Sequence, residues 1–266
     1  MRLALAGALL AATFAAQAAP SVAFVADVHG SATIEGDGRL GFLAELASGS
    51  RVLLGSGAAA TITFAATGAE FTLAGPGEFS IGANEVKADK GASPKRRSVA
   101  ALSDATVVAR VSRGATASVR MRSLGTDAPA LEYPLDTRIA TLQPTMRIRG
   151  GADYTITIVD ATGKAVWSGP ATAQGVKVAT RLAPGTRYGW SATSTRGTLG
   201  PASFETLPAD AIARVEKARA SARTFPDRVM AALLLQDLGA TQDAREAWAG
   251  LARERPDLPE LAAYAH

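Results

Sequence analysis

From residue 21 to about residue 125, short apolar runs alternate with glycines. The runs include Val22 to Val25, Ala32 to Ile34, Arg51 to Leu54, Ala60 to Phe64, Glu70 to Leu73 and Glu78 to Ile81. They are rich in β-branched and aromatic residues, which suit a pleated, half-buried surface, and the glycines between them suit tight turns. The pattern predicts an all-β unit over residues 20–125. In Ala60 to Phe64 and Glu70 to Leu73 the alternation has period two, which predicts strands buried on one face only. Short strands with a glycine at nearly every corner imply a sandwich or a rolled, solenoid-like sheet.

A second β-rich stretch covers residues 126–207. It contains the alternating run Tyr154 to Val159, a turn at Asp160-Ala-Thr-Gly163 and a return through Ala165 to Trp167. Gly163 takes the positive φ that closes such a hairpin. Several short strands in a segment of this length predict an immunoglobulin-like sandwich. From Pro208 the pattern changes again: glycine thins out, Ala, Arg, Glu and Leu dominate, and the apolar spacing moves to the helical period. Helices are expected over Ala211 to Ala222, Pro226 to Leu238, Gln242 to Arg253 and Leu258 to Tyr264. Gly239 and Pro256 serve as stop signals. The fold class expected is therefore mostly β with a C-terminal α segment in residues 208–266.

The first 19 residues are set apart from these units. Arg2 precedes an apolar stretch, Leu3 to Phe14, too short to span a bilayer, and Ala16-Gln17-Ala18 has the small residues of a signal-peptidase site. A cleavable export signal and a periplasmic location are expected, with no transmembrane segment in the mature protein. The 266 residues contain no Cys, so the chain has no disulfide, thiolate metal site, cysteine nucleophile or lipidated N-terminal cysteine. The formal net charge is only +4, which gives no reason to expect nucleic acid.

Three segments carry family resemblances. Leu46 to Gly55, Gly57 to Phe64 and Gly68 to Glu78 follow one another as strand, Gly turn, small-residue strand and Gly-led hairpin. This succession resembles the FecR-type periplasmic domain. FecR regulators proper have a cytoplasmic segment and a membrane helix, where a cleavable signal is expected in this chain; the resemblance implies the periplasmic module without the signalling output. Leu182-Ala-Pro-Gly-Thr-Arg-Tyr188-Gly-Trp190 is similar to the tyrosine corner of fibronectin type III domains. That likeness makes Tyr188 structural and assigns Trp167 and Trp190 to packing rather than to a sugar-stacking platform. Ala232, Leu235, Gly239, Ala244, Trp248, Leu251 and Pro256 resemble one tetratricopeptide repeat. A single repeat does not bury its own faces. Either the helices pack on the β units, or Leu235, Ala244, Trp248 and Leu251 help to form a groove for a partner.

Chemical motifs are scarce. Gly36-Asp-Gly38-Arg-Leu-Gly41 matches a dinucleotide fingerprint as a string but lies between predicted strands rather than before a helix. Asp27, His29 and Ser31 are the residue types of a hydrolase triad. Their strand spacing of about 6–7 Å puts them beyond hydrogen-bond reach, so His29 reads as a surface or edge residue. The densest charge feature is Lys87, Lys90, Lys95, Arg96 and Arg97, followed by Arg110, Arg113, Arg120 and Arg122. On one face these would form a patch for an anionic polymer or lipid head groups; otherwise they belong to a solvated loop and a charged sheet face. No catalytic, cofactor or metal site is expected. The sequence points to a non-enzymatic adaptor binding another envelope protein, with binding of peptidoglycan or another envelope glycan as the alternative.

Overall fold

The computed structural model of the protein describes residues 20–98, 128–150 and 153–265. The expected export signal and the arginines Arg110, Arg113, Arg120 and Arg122 lie outside the described residues. The described chain is mostly β with helices at its C-terminal end.

The first β unit comprises β1 (Ser21–His29), β2 (Ala32–Ile34), β3 (Gly38–Arg39), β4 (Glu45–Ala47), β5 (Arg51–Leu54), β6 (Ala59–Phe64), β7 (Ala69–Ala74), β8 (Gly77–Ile81), β9 (Val86–Lys90) and β10 (Lys95–Ser98). They form two five-stranded sheets, in the orders β10-β7-β6-β1-β4 and β3-β2-β5-β8-β9. Val25, Leu46, Ile62 and Leu73 of the first sheet share a core with Val52, Phe79 and Ile81 of the second. The chain crosses between the sheets after β1 at Gly30. Its φ of +73° suits glycine, and a Cβ there would lie 3.0 Å from the Ala58 backbone.

One expectation is corrected here. β6 is buried on both faces, not one: Thr61 and Thr63 are buried as well as Ile62 and Phe64, and Glu70 on β7 is only 2% exposed. The cause is the helical layer. It comprises α1 (Ala209–Ser221), α2 (Phe225–Asp237), α3 (Thr241–Glu254) and α4 (Leu261–Tyr264), close to the ranges expected. α2 starts in a capping box, in which Thr224 and Asp227 satisfy each other's backbone amides. It ends before Gly239, whose φ of +75° closes the helix. Ten of the thirteen residues of α2 are buried, because it lies between α1, α3 and the outer face of the first sheet. The core of the first β unit and that of the helices are consequently one cluster, running from Phe24 and Phe64 through Val229 and Leu233 to Trp248 and Leu261.

The second β unit contains β11 (Ala130–Tyr133), β12 (Thr137–Ile139), β13 (Thr145–Arg149), β14 (Thr155–Val159), β15 (Ala165–Pro170), β16 (Val176–Lys177), β17 (Arg187–Ser194) and β18 (Gly197–Thr206). Its sheets, β11-β13-β16 and β12-β18-β17-β14-β15, enclose a separate core of Met146, Ile148, Ile156, Ile158, Trp190 and Phe204. β12 runs parallel to β18, and the remaining pairs are antiparallel. The Tyr188 hydroxyl accepts a 2.9 Å hydrogen bond from the Ala183 amide, closing the turn into β17. Trp190 is buried and donates to the Pro134 carbonyl at 2.8 Å, while Trp167 is half-buried on the edge strand.

Trp248 touches Phe42 edge-on at 6.4 Å and Tyr264 at 4.9 Å between ring centres, and so links a β-turn to two helices. Trp248→Ala is expected to destabilise the protein by about 3–5 kcal/mol. Because the core is shared, a urea titration read by helical and β circular dichroism signals should lose the helices and the first β unit in one transition. Helices that melted well before that unit would contradict the shared core.

Candidate functional site

The five basic residues that would form a patch if they shared one face are divided among several. Strand alternation puts Lys95 and Arg97 on one side of β10 and Arg96 on the other, where its guanidinium lies 6.0 Å from the Phe71 ring. Lys87 and Lys90 lie on β9, in the other sheet, and pair with Glu85 at 3.2 Å and Glu78 at 2.8 Å. Lys87, Lys90, Lys95 and Arg96 are exposed.

Arg97 has a different role. It forms a two-pronged pair with Glu70, its cross-strand neighbour, and also donates to Asp227 Oδ1 at 2.7 Å and Thr224 Oγ1 at 3.0 Å. Glu70 and Asp227 are nearly enclosed, and Arg97 keeps 40% of its side chain in solvent. The arginine thus joins the first sheet to the capped start of α2. Its hydrogen bond to Glu70 raises its pKa against the cost of burial. Burial pushes the Asp227 carboxyl up, but the hydrogen bonds from Arg97, Thr224 and the Arg223 amide outweigh it and hold the group below its ordinary value.

A second clasp lies beside the same start of α2, where the end of α3 meets β1. Arg255, just past α3, donates to Asp27 Oδ1, to the Val28 carbonyl at 2.9 Å and to both oxygens of Asp257 at 2.8 Å; it also stacks 5.1 Å from the Phe225 ring. Bonding to Asp257 raises the Arg255 pKa, and the same contact holds Asp257 at about 2. The expected separation of Asp27 and His29 is corrected: His29 Nε2 lies 3.2 Å from Asp27 Oδ2 and 3.0 Å from Arg255 Nη1. Asp27 and His29 stand two residues apart in a regular stretch of β1 and so share a face, and Arg255 contacts both side chains. The third partner is thus an arginine and not Ser31, and the arrangement anchors the end of α3 to β1.

The residues weighed as a partner groove are covered by the chain itself. Leu235, Ala244, Trp248 and Leu251 are each 3% exposed or less, packed in the core shared with the first sheet. α3 also grips the second β unit through its polar side. Asp243 accepts from the Tyr133 hydroxyl at 2.6 Å and the Ala140 amide at 2.9 Å, and Gln242 accepts from the Leu135 amide at 2.8 Å. Arg147 pairs with Glu246 and stacks 4.6 Å from the Tyr133 ring. Burial, with Asp243 beside it, raises the Tyr133 pKa. Nothing in a one-dimensional pattern marks Asp243, Gln242, Arg97 or Arg255 for these roles; only the capping box of Thr224 and Asp227 is visible locally.

Gly36-Asp-Gly38-Arg-Leu-Gly41 lies in and around the hairpin of β2 and β3, with no helix after it. Among the described residues, no group of three or more His, Asp or Glu side chains is placed to hold a metal ion, and no helix is long and apolar enough to cross a membrane. No protein-family model matches the chain, and no curated protein matches it.

Arg97→Met and Arg255→Met each strand a carboxylate at the helix junction and should lower stability by about 2–4 kcal/mol, with the smaller loss at the more exposed Arg97. Chemical denaturation measures both; losses under about 0.5 kcal/mol, typical of an ordinary surface site, would contradict the clasps. The pH dependence has a defined sign. Asp227 and Asp257 have depressed folded-state pKa values, so their contribution is complete above the unfolded value of about 4 and is lost as pH falls toward 2. An Asp227→Asn, Asp257→Asn double variant should be less stable at neutral pH and show a shallower loss across that acid window. An unchanged slope would contradict the assignment.

Proposed function

We propose that the protein is an exported, non-enzymatic adaptor of the cell envelope. In this reading residues 1–19 are a cleaved signal, 20–125 a FecR-like unit, 126–207 a fibronectin-like sandwich and 208–266 a tetratricopeptide-like helical segment. The sandwich assignment draws on the parallel β12–β18 pair and the Tyr188 hydrogen bond. The observation that carries the adaptor reading is α3, whose apolar side enters the first core while its polar side holds the second β unit. Such a body presents surfaces at fixed mutual positions, as a scaffold requires. The side chains nearest to a hydrolase arrangement, Asp27 and His29, are engaged by Arg255. With the inner helix faces occupied, partner contact falls to exposed surfaces such as the outer side of α1, which carries Glu216, Lys217 and Arg219.

The alternative, binding of peptidoglycan or another anionic envelope polymer, draws on Lys95 and Arg96, which are exposed at a sheet edge without a carboxylate partner among the described residues. Two measurements separate the readings. Photo-crosslinkers at Lys217 and Lys95, introduced in vivo, should yield a discrete envelope-protein adduct at one position or both if the protein is an adaptor. Retention on purified sacculi at low salt, lost in a Lys95→Gln, Arg96→Gln variant, would instead favour the polymer. Absence of any protein adduct from a scan of the exposed surface would overturn the adaptor reading.

A further inference from the structure

An open cleft of about 380 Å³ lies where the second β unit meets the turn between α2 and α3. Asp136, Arg138, Arg187, Ser203 and Glu205 form its sheet side, and Gly239 its helix side. Sheet register creates the charge pattern. Glu205 on β18 is opposite Arg138 on β12 and Arg187 on β17, so one carboxylate sits in a row between two guanidinium groups. Arg138 Nε is 3.7 Å from Glu205 Oε2, a loose and solvated pair.

Arg187 is engaged differently. It donates to the Ser203 hydroxyl at 3.3 Å, and that hydroxyl donates to Asp136 Oδ1 at 2.9 Å. A cation and an anion therefore stand two hydrogen bonds apart, bridged by one oxygen rather than closed on each other. The backbone fixes Asp136 in this position: its φ is +44°, one of only two positive values at non-glycine residues among those described, and its amide donates to the Ser203 carbonyl at 2.8 Å. Strain of this kind persists only where the surroundings impose it, and it gathers at ligand sites.

Asp136 and Glu205 balance the two arginines, so the cleft disfavours a simple anion and matches a ligand bearing both charges. We propose that it binds a small zwitterion, either a free amino acid or the joined termini of a short peptide. The ligand carboxylate lies on the guanidinium fork of Arg187, with Arg138 beside it, and the ammonium lies on Asp136. A guanidinium suits this task because its paired N–H groups match the two oxygens of a carboxylate. The proposal goes beyond the adaptor reading and does not depend on it.

Titration calorimetry on the full chain, with alanine and alanyl-alanine as probes, tests the site. At least one should bind saturably. N-acetyl-alanine and alaninamide, each lacking one charge, should bind at least about tenfold more weakly. Stronger binding of alanine identifies a free amino acid as the ligand class, and stronger binding of alanyl-alanine identifies peptide termini. Arg187→Gln and Asp136→Asn should each weaken the preferred probe about tenfold, and Arg196→Gln, at a distant pair with Asp153, should not. Asp136→Gly removes the carboxylate while relieving the positive φ, so a loss of binding in that variant with an unchanged melting temperature cannot come from misfolding. The proposal is overturned by no saturable binding of either probe up to about 20 mM, by equal binding of the blocked compounds, or by an unchanged affinity in Arg187→Gln.

Discussion

The outer face of the first sheet cannot be left in water. Phe24 of β1 and Thr63 of β6 are cross-strand neighbours on that face, and both are almost completely buried, together with Glu70 on β7. A layer distant in the chain has to cover them, and α2 with α3 supplies it. Burial of large apolar side chains contributes about 1.5–3 kcal/mol each, and the residues sharing this core extend from β1 to α4. That coverage explains why α2 is apolar nearly all round. One side meets the sheet and the others meet α1 and α3.

Covering a sheet face that carries polar residues raises an electrostatic difficulty, because a buried carboxylate is strongly destabilising unless it is paired and hydrogen-bonded. Arg97 and Arg255 resolve it, both beside the start of α2. Each brings together carboxylates from separate parts of the chain, Glu70 with Asp227 and Asp27 with Asp257. Apolar contact alone would hold the helices on the sheet in several similar positions, whereas directional guanidinium bonds select one. α3 then carries that fixed position to the second β unit through Asp243 and Gln242. The cleft at Asp136 and Arg187 lies beside this same junction, so the docking of the helices also sets one of its walls.

Much of the secondary structure was legible in the sequence because its causes are local. Glycine turns, period-two runs, the change of period at Pro208 and the stop at Gly239 each depend on residues within a few positions of one another. The Tyr188 turn was legible for the same reason. Leu43 shows where local reasoning ends. It takes a φ of +57° although Gly41 is close by. Its turn places Phe42 against Phe225 and Trp248, more than 180 residues later.

By itself the sequence determined the order of a β-rich region and a helical end, the absence of thiol chemistry and the approximate limits of the helices. Tertiary structure decided which faces are covered. It turned a one-sided strand into a buried one, divided Lys87, Lys90, Lys95, Arg96 and Arg97 among different faces, joined Asp27 to His29 through Arg255, and placed Leu235, Ala244, Trp248 and Leu251 inside. The physical reason is that burial and charge pairing depend on which distant surface arrives, and the periodicity of a segment records only that it has an apolar side, not what will lie against it.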